Sequence, residues 1–240
     1  MISGRIVKLS VLSLFIGIIP AQAQDFSYNL YLNVGFVNIS AGKARLNDTD
    51  VVYDGRDAVR TQLAMKTNSV ADRVFELRDT MVSYNTPDGE GIFYSKTVNE
   101  GKKHVLETAR FTKDSGHFIV NLTAGSSRST EWRDERIFDM LSMLRFTRDI
   151  DMTDKEPGYS ETLPMVNGDM VVQQYIIYQG MEKIKADDGK KYDCLKISVR
   201  DYKYGEERET LKAYVTADGH VPVQLNIIVG VASIKALLTD

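Results

Sequence analysis

A single cysteine, Cys194, stands among 240 residues. No intramolecular disulfide can form, so stability must come from packing. The cysteine sits in the strand-like run Tyr192 to Ile197, and the three histidines that might serve it as a base, His104, His117 and His220, are scattered along the chain. It therefore reads as a small buried core residue and not as a nucleophile. After the first two dozen residues no apolar run is long enough to cross a bilayer, so no transmembrane anchor is expected in the mature chain. Basic blocks are missing too. The 30 Lys and Arg nearly balance the 33 Asp and Glu and lie interspersed with them, which argues against nucleic acid as a partner. Also absent are a Gly-x-Ser-x-Gly elbow, a His-Glu-x-x-His pair, a phosphate-cradling glycine loop and paired cysteines. No cofactor, metal or catalytic residue is therefore expected.

What the chain does have begins at its N-terminus. Arg5 and Lys8 precede an apolar stretch from Leu9 to Ile19, followed by Pro20, Ala21, Gln22 and Ala23. This order of charged, apolar and small-residue regions describes a signal peptide over residues 1–23, with the mature protein starting at Gln24. No cysteine follows that cleavage point, which argues against lipid attachment there. The expected product is a single domain over residues 24–240, soluble in the periplasm or outside the cell.

Alternation with period two, the mark of a strand with one buried face, runs through most of this domain. Phe26, Tyr28, Leu30, Leu32 and Val34 share one side; Val59, Thr61, Leu63 and Met65 share another. The pattern returns at Val105 to Phe111, Phe118 to Leu122, Val171 to Tyr178, Leu195 to Val199, Leu211 to Val215, Val221 to Val229 and Val231 to Leu238. Turn pairs separate the runs at Asp54-Gly55, Pro87-Asp88-Gly89, Asp188-Gly189 and Asp218-Gly219. Connections this short suit hairpins and exclude parallel crossovers. The fold expected is mostly β, a single antiparallel curved sheet or open barrel.

One segment departs from period two. From about 134 to 148, Ile137, Met140, Leu141 and Leu144 recur at helical spacing, while Glu135, Arg136, Asp139 and Ser142 fall away from that stripe. This predicts one helix on the concave side of the sheet. Ser129, Thr130 or Asp134 would cap it, and Ser126 and Ser127 would belong to the loop at its entry. Arg145 and Arg148 lie in its last turn, where positive charge suits the helix dipole. The acidic stretch Asp149, Asp151, Asp154 and Glu156 that follows resembles a calcium loop, but lacks the turn glycine and the terminal glutamate, and reads as a solvated loop.

Asp79 shares the strand phase of Phe75, Leu77 and Met81, so its carboxylate points toward the apolar side unless a bulge near Thr80 turns it out. A buried carboxylate needs a cation or several donors. Arg148, brought round to the apolar face of the helix, is a candidate partner.

The order of three elements resembles the exported bacterial family of unknown function DUF3108. They are Tyr28 to Ala44 with Gly35 and Gly42; Asp139 to Leu144 followed by Arg148; and Tyr214 to Gly219, Val221-Pro222-Val223 and Gly230 to Leu238. Met140 stands where the family usually has proline, and Tyr214 where it commonly has tryptophan. The resemblance implies no particular chemistry. In shape the family is similar to lipoprotein carriers, whose curved antiparallel sheet wraps a helix around an apolar cavity. The leading expectation is thus a non-enzymatic envelope protein that binds a lipid or other amphiphile. Asp79, Arg148, Met81, Leu141 and Leu144 are its candidate ligand contacts, and Tyr28, Leu30, Phe75, Leu77, Met140, Leu225 and Ile227 further linings. The alternative is an envelope scaffold that docks a protein partner through Tyr202, Tyr204 or the acidic loop. A hydrolase ranks third, because no acid, base and nucleophile converge in the sequence.

Overall fold

The computed structural model describes residues 24–239 except 35–36, 74–75, 101–102, 204–205, 219 and 230–231. Residues 1–23, the segment expected to be a signal peptide, together with Gly35, Phe75, Tyr204, Gly219 and Gly230, lie outside the described residues.

Among the described residues eight strands come first: β1 (Asp25–Val34), β2 (Val37–Tyr53), β3 (Arg56–Thr67), β4 (Arg78–Asn85), β5 (Gly91–Glu100), β6 (Lys103–Asp114), β7 (His117–Ala124) and β8 (Ser127–Arg133). The helix α1 (Met140–Asp149) follows. Six more strands complete the fold: β9 (Ser160–Asn167), β10 (Met170–Lys185), β11 (Lys191–Lys203), β12 (Glu206–Thr216), β13 (Pro222–Val229) and β14 (Ala232–Leu238).

All fourteen strands belong to one sheet, ordered β8, β7, β6, β5, β4, β3, β2, β1, β14, β13, β12, β11, β10, β9. Every neighbouring pair is antiparallel. Each half of the chain is a run of consecutive hairpins, and the halves join where the first strand pairs with the last, Tyr28 opposite Leu238. The turns supply the required backbone. Asp54 and Gly55 both have positive φ, 53° and 74°, as a two-residue type I′ hairpin demands. Ser115 and Gly116 make the same turn between β6 and β7 with φ of 49° and 89°.

The sheet bends at register shifts in five pairings, between Leu30 and Tyr31, Tyr84 and Asn85, Tyr178 and Met181, Val199 and Arg200, and Tyr214 and Val215. Gly42 sits beside the first of these. A Cβ there would lie 2.1 Å from the Lys66 carbonyl oxygen, so only glycine allows β2 to approach β3 so closely.

The ends of the sheet do not form a ladder with each other. Side chains of β8 reach the β9–β10 hairpin instead. Ser127 Oγ donates to Asp169 Oδ2 at 2.5 Å, Ser129 Oγ donates to the Asp169 carbonyl, and Glu131 Oε1 accepts the Val171 N–H at 2.9 Å. The outer edge of β9 is covered by Phe138, whose N–H donates to Pro164 O and whose carbonyl accepts from Val166 N, both at 2.8 Å.

That edge contact corrects the helix boundary. The helix starts at Met140, not near 134, and Ser127–Arg133, read as loop and helix entry, is a strand. Ile137 and Phe138 are both buried although adjacent. The backbone of Phe138 is committed to β9 and cannot turn helical. Asp139 is the cap, with Oδ1 accepting the N–H groups of Leu141 and Ser142 at 2.8 and 3.0 Å, while Ser142 Oγ accepts the Asp139 N–H at 2.8 Å. This reciprocal pair is a capping box with serine in place of glutamate. Asp139 and Ser142, assigned by spacing to the outer side, are both buried.

Candidate functional site

The helix lies against β3 and β4 from one half of the sheet and β9 from the other. Beneath it is a cavity of about 240 Å3. Met140, Leu141, Met143 and Leu144 line it from the helix. Leu63 of β3, Tyr94 of β5, Met165 of β9 and Leu225 and Ile227 of β13 supply apolar wall. Leu141 is completely buried because the stripe Leu141, Leu144 and Arg148 faces the sheet at i, i+3 and i+7.

Polar groups enter the same space. Lys96 of β5 and Glu107 of β6 stand opposite each other with Nζ and Oε2 3.9 Å apart. Asp201 of β11 lines the cavity while facing Arg208 at 3.3 Å. Gln174 of β10 is 1 % exposed, and its Oε1 has no hydrogen-bond partner. A buried amide oxygen left unpaired costs about 1–3 kcal/mol, which a bound donor would relieve. The residues expected from the sequence did not include these. The signal was present: Lys96 shares the phase of Ile92, Tyr94 and Val98, and Gln174 that of Ile176 and Tyr178, each set buried.

Leu141 and Leu144 meet in this cavity, as do Met140, Leu225 and Ile227. Asp79, Met81 and Arg148 are not among its lining residues. Met81 is core, in register with Leu63. Asp79 does point inward, 3 % exposed in a regular stretch of β4 with no bulge at Thr80, and its Oδ1 accepts the Asn99 N–H at 2.8 Å. Arg148 turns to a different carboxylate, donating from Nη1 to Asp48 Oδ2 at 3.0 Å and from Nη2 to Gln24 Oε1. Tyr28 is core as well, donating its hydroxyl to the Pro222 carbonyl at 2.9 Å; burial holds its pKa well above the usual phenol range.

The remaining chemistry-bearing residues are dispersed. Nδ1 of His104 is bonded to Asn99 and Nδ1 of His117 to Asp134, and Nδ1 of His220 donates to the Arg148 carbonyl. In the acidic loop Asp151 accepts from Thr153 and Asp154 pairs with Lys155; among the described residues no cluster of three or more His, Cys, Asp or Glu could hold a metal. Burial pushes the Cys194 thiol up to about 12. At pH 8 the thiolate is then only about one molecule in ten thousand. A maleimide should leave the native protein unmodified over hours and label it fully in denaturant, with intact mass spectrometry as the readout. Fast labelling of the native chain would contradict the burial of Cys194.

These features define a class: an open, barrel-like antiparallel sheet wrapped on one helix, with a small cavity of mixed lining beneath it. Residues 27–239 match the family described as "Protein of unknown function (DUF3108)", and the chain belongs to that family. A similar fold is found in the crystal structure of a beta-barrel-like protein of the domain of unknown function DUF1849 from Brucella abortus. The two align with a TM-score of 0.62 at 13 % identity, over 90 % of this chain and 95 % of that one. No curated protein matches the chain. Among the described residues no helix is long and apolar enough to cross a membrane.

Proposed function

We propose that this protein is an exported, non-enzymatic binder of a lipid or other amphiphile, which it holds in the cavity beneath α1. The observation that carries the reading is the pairing of an apolar wall with a buried, unpaired Gln174 Oε1. An alkyl chain would cover the apolar wall while a polar head carrying a donor would meet Gln174, with Lys96 and Asp201 close by. Export rests on the order of charged, apolar and small residues in segment 1–23. The non-enzymatic part is supported by the dispersal of the three histidines, bonded to Asn99, Asp134 and the Arg148 carbonyl in different parts of the fold, and by burial that keeps the Cys194 thiol protonated.

Calorimetric titration of the purified mature chain with a series of saturated fatty alcohols tests the reading. Each added methylene should tighten binding about fourfold, corresponding to ~0.8 kcal/mol, until the cavity is full, after which affinity levels off. Ile227→Trp, at a partly exposed lining position, should fill the space and abolish binding without loss of the cooperative melt. Absence of binding across the series, with no lipid found by mass spectrometry of an organic extract, would defeat the proposal.

A further inference from the structure

A second cavity, of about 210 Å3, lies on the opposite flank of α1, between Ser142, Arg145 and Asp149 of the helix and the turn joining β4 to β5. It shares no lining residue with the amphiphile cavity. Its wall gathers three buried polar atoms without a hydrogen-bond partner: Asn85 Oδ1, Arg136 Nε and Arg145 Nη1. Asn85 is 1 % exposed. Arg136 makes no hydrogen bond or ion pair to another described residue. Its guanidinium lies 4.3 Å from the centre of the Phe138 ring and against Gly89, where a Cβ would come within 2.8 Å of Nη2. Among the described residues Arg145 pairs only with Asp149, 3.7 Å away and exposed to solvent.

The direction of the Asn85 amide follows from its neighbours. Ser83 Oγ donates its one hydrogen to Asp139 Oδ2 at 2.7 Å and therefore accepts from Asn85 Nδ2, also at 2.7 Å. The amide oxygen is left facing the cavity. The inner wall thus offers guanidinium donors and one acceptor, while the carboxylates of Asp88 and Asp149 stand at the exposed rim. A carboxylate or chloride would satisfy the donors and leave the Asn85 oxygen unpaired. A phosphate bearing one P–OH matches both, giving acceptor oxygens to the arginines and a donor to Asn85.

We infer that this cavity binds a phosphate group with a free P–OH, with Arg136 and Arg145 on its anionic oxygens and Asn85 Oδ1 on its hydroxyl. Such a group is carried by inorganic phosphate and by a singly protonated phosphomonoester alike. Calorimetry of the full mature chain at pH 6 and constant ionic strength should give one saturable site for inorganic phosphate. Sulfate, which has the same shape but no hydroxyl, should bind at least tenfold more weakly. Arg145→Gln and Arg136→Gln should each weaken phosphate binding at least tenfold while the melting profile without phosphate stays cooperative. Glycerol 1-phosphate binding tighter than inorganic phosphate would assign the monoester; weaker binding would assign the free anion. No saturable heat with phosphate, sulfate binding as tightly as phosphate, or an unchanged affinity in Arg145→Gln would each overturn the inference. The sulfate comparison needs no variant and stands if either arginine substitution fails to fold.

Discussion

Arg148→Met should destabilise the protein by about 3–5 kcal/mol in urea denaturation, the loss typical of breaking one side of a buried ion pair. Arg148 is 4 % exposed, and the side chain of its partner Asp48 is 12 % exposed. Asp48 also accepts the Thr61 hydroxyl at 2.6 Å, but no hydroxyl replaces a counter-ion once the guanidinium is gone. The arginine further covers the ring of Phe26, with Cζ 5.5 Å from the ring centre, and its carbonyl accepts from His220. The last turn of α1 is thereby tied to β1, β2 and the turn before β13. If the cost arises from the stranded carboxylate, Asp48→Asn combined with Arg148→Met should recover a substantial part of it. A double variant as unstable as the sum of the two single ones would show that packing, not charge, dominates.

The second large effect is expected at Asp139. Asp139→Ala would leave the Leu141 and Ser142 N–H groups and the Ser83 hydroxyl without their acceptor inside the core. Each buried orphan costs about 1–3 kcal/mol, and a lost N-cap about 0.5–2, so the total should reach about 3 kcal/mol or more. Asp139→Asn keeps the backbone acceptor and should cost far less at neutral pH. The two variants separate capping from charge.

Charge at Asp139 has its own signature. Burial raises its carboxyl pKa above 3.8, although hydrogen bonds from Ser142, Ser83 and Leu141 pull the other way. The folded state therefore holds this proton more tightly than the unfolded chain does. Between 3.8 and the raised value the folded protein binds more protons, so this group's contribution to stability increases as pH falls and is least above the folded pKa. Asp25, Asp72 and Asp151 act with the opposite sign, since hydrogen bonds from Arg45, Arg78 and Thr153 hold them low. Comparing wild type with Asp139→Asn cancels those groups, which both chains share. The stability of wild type relative to Asp139→Asn should rise from pH 7 toward pH 4; a flat or falling difference would contradict a raised pKa at this position.

Much of the fold is legible residue by residue. Alternation at Val59 to Met65 matches the buried face of β3, and the Asp54-Gly55 pair sits at the turn before it. The inward phase of Asp79 with Leu77 and Met81 is present in the structure. Other elements gave weaker signals. The strand Ser127–Arg133 carries no apolar alternation because its side chains bond across the open edge to Asp169 and Val171 instead of filling the core. The start of the helix is set by the pairing of Phe138 with β9, a contact that helical spacing near 137 cannot reveal.

By itself, then, the sequence determined which side of most strands faces inward, where most turns fall, and that the strands run antiparallel, because side-chain alternation and turn chemistry are local properties of the backbone. Only the tertiary structure decided that β1 closes on β14, that Arg148 meets Asp48 a hundred residues away, and that Gln174 and Asn85 open into two separate cavities. Period two assigns a side chain to a face but not to a neighbour, and neighbours follow from strand order and register across the whole sheet.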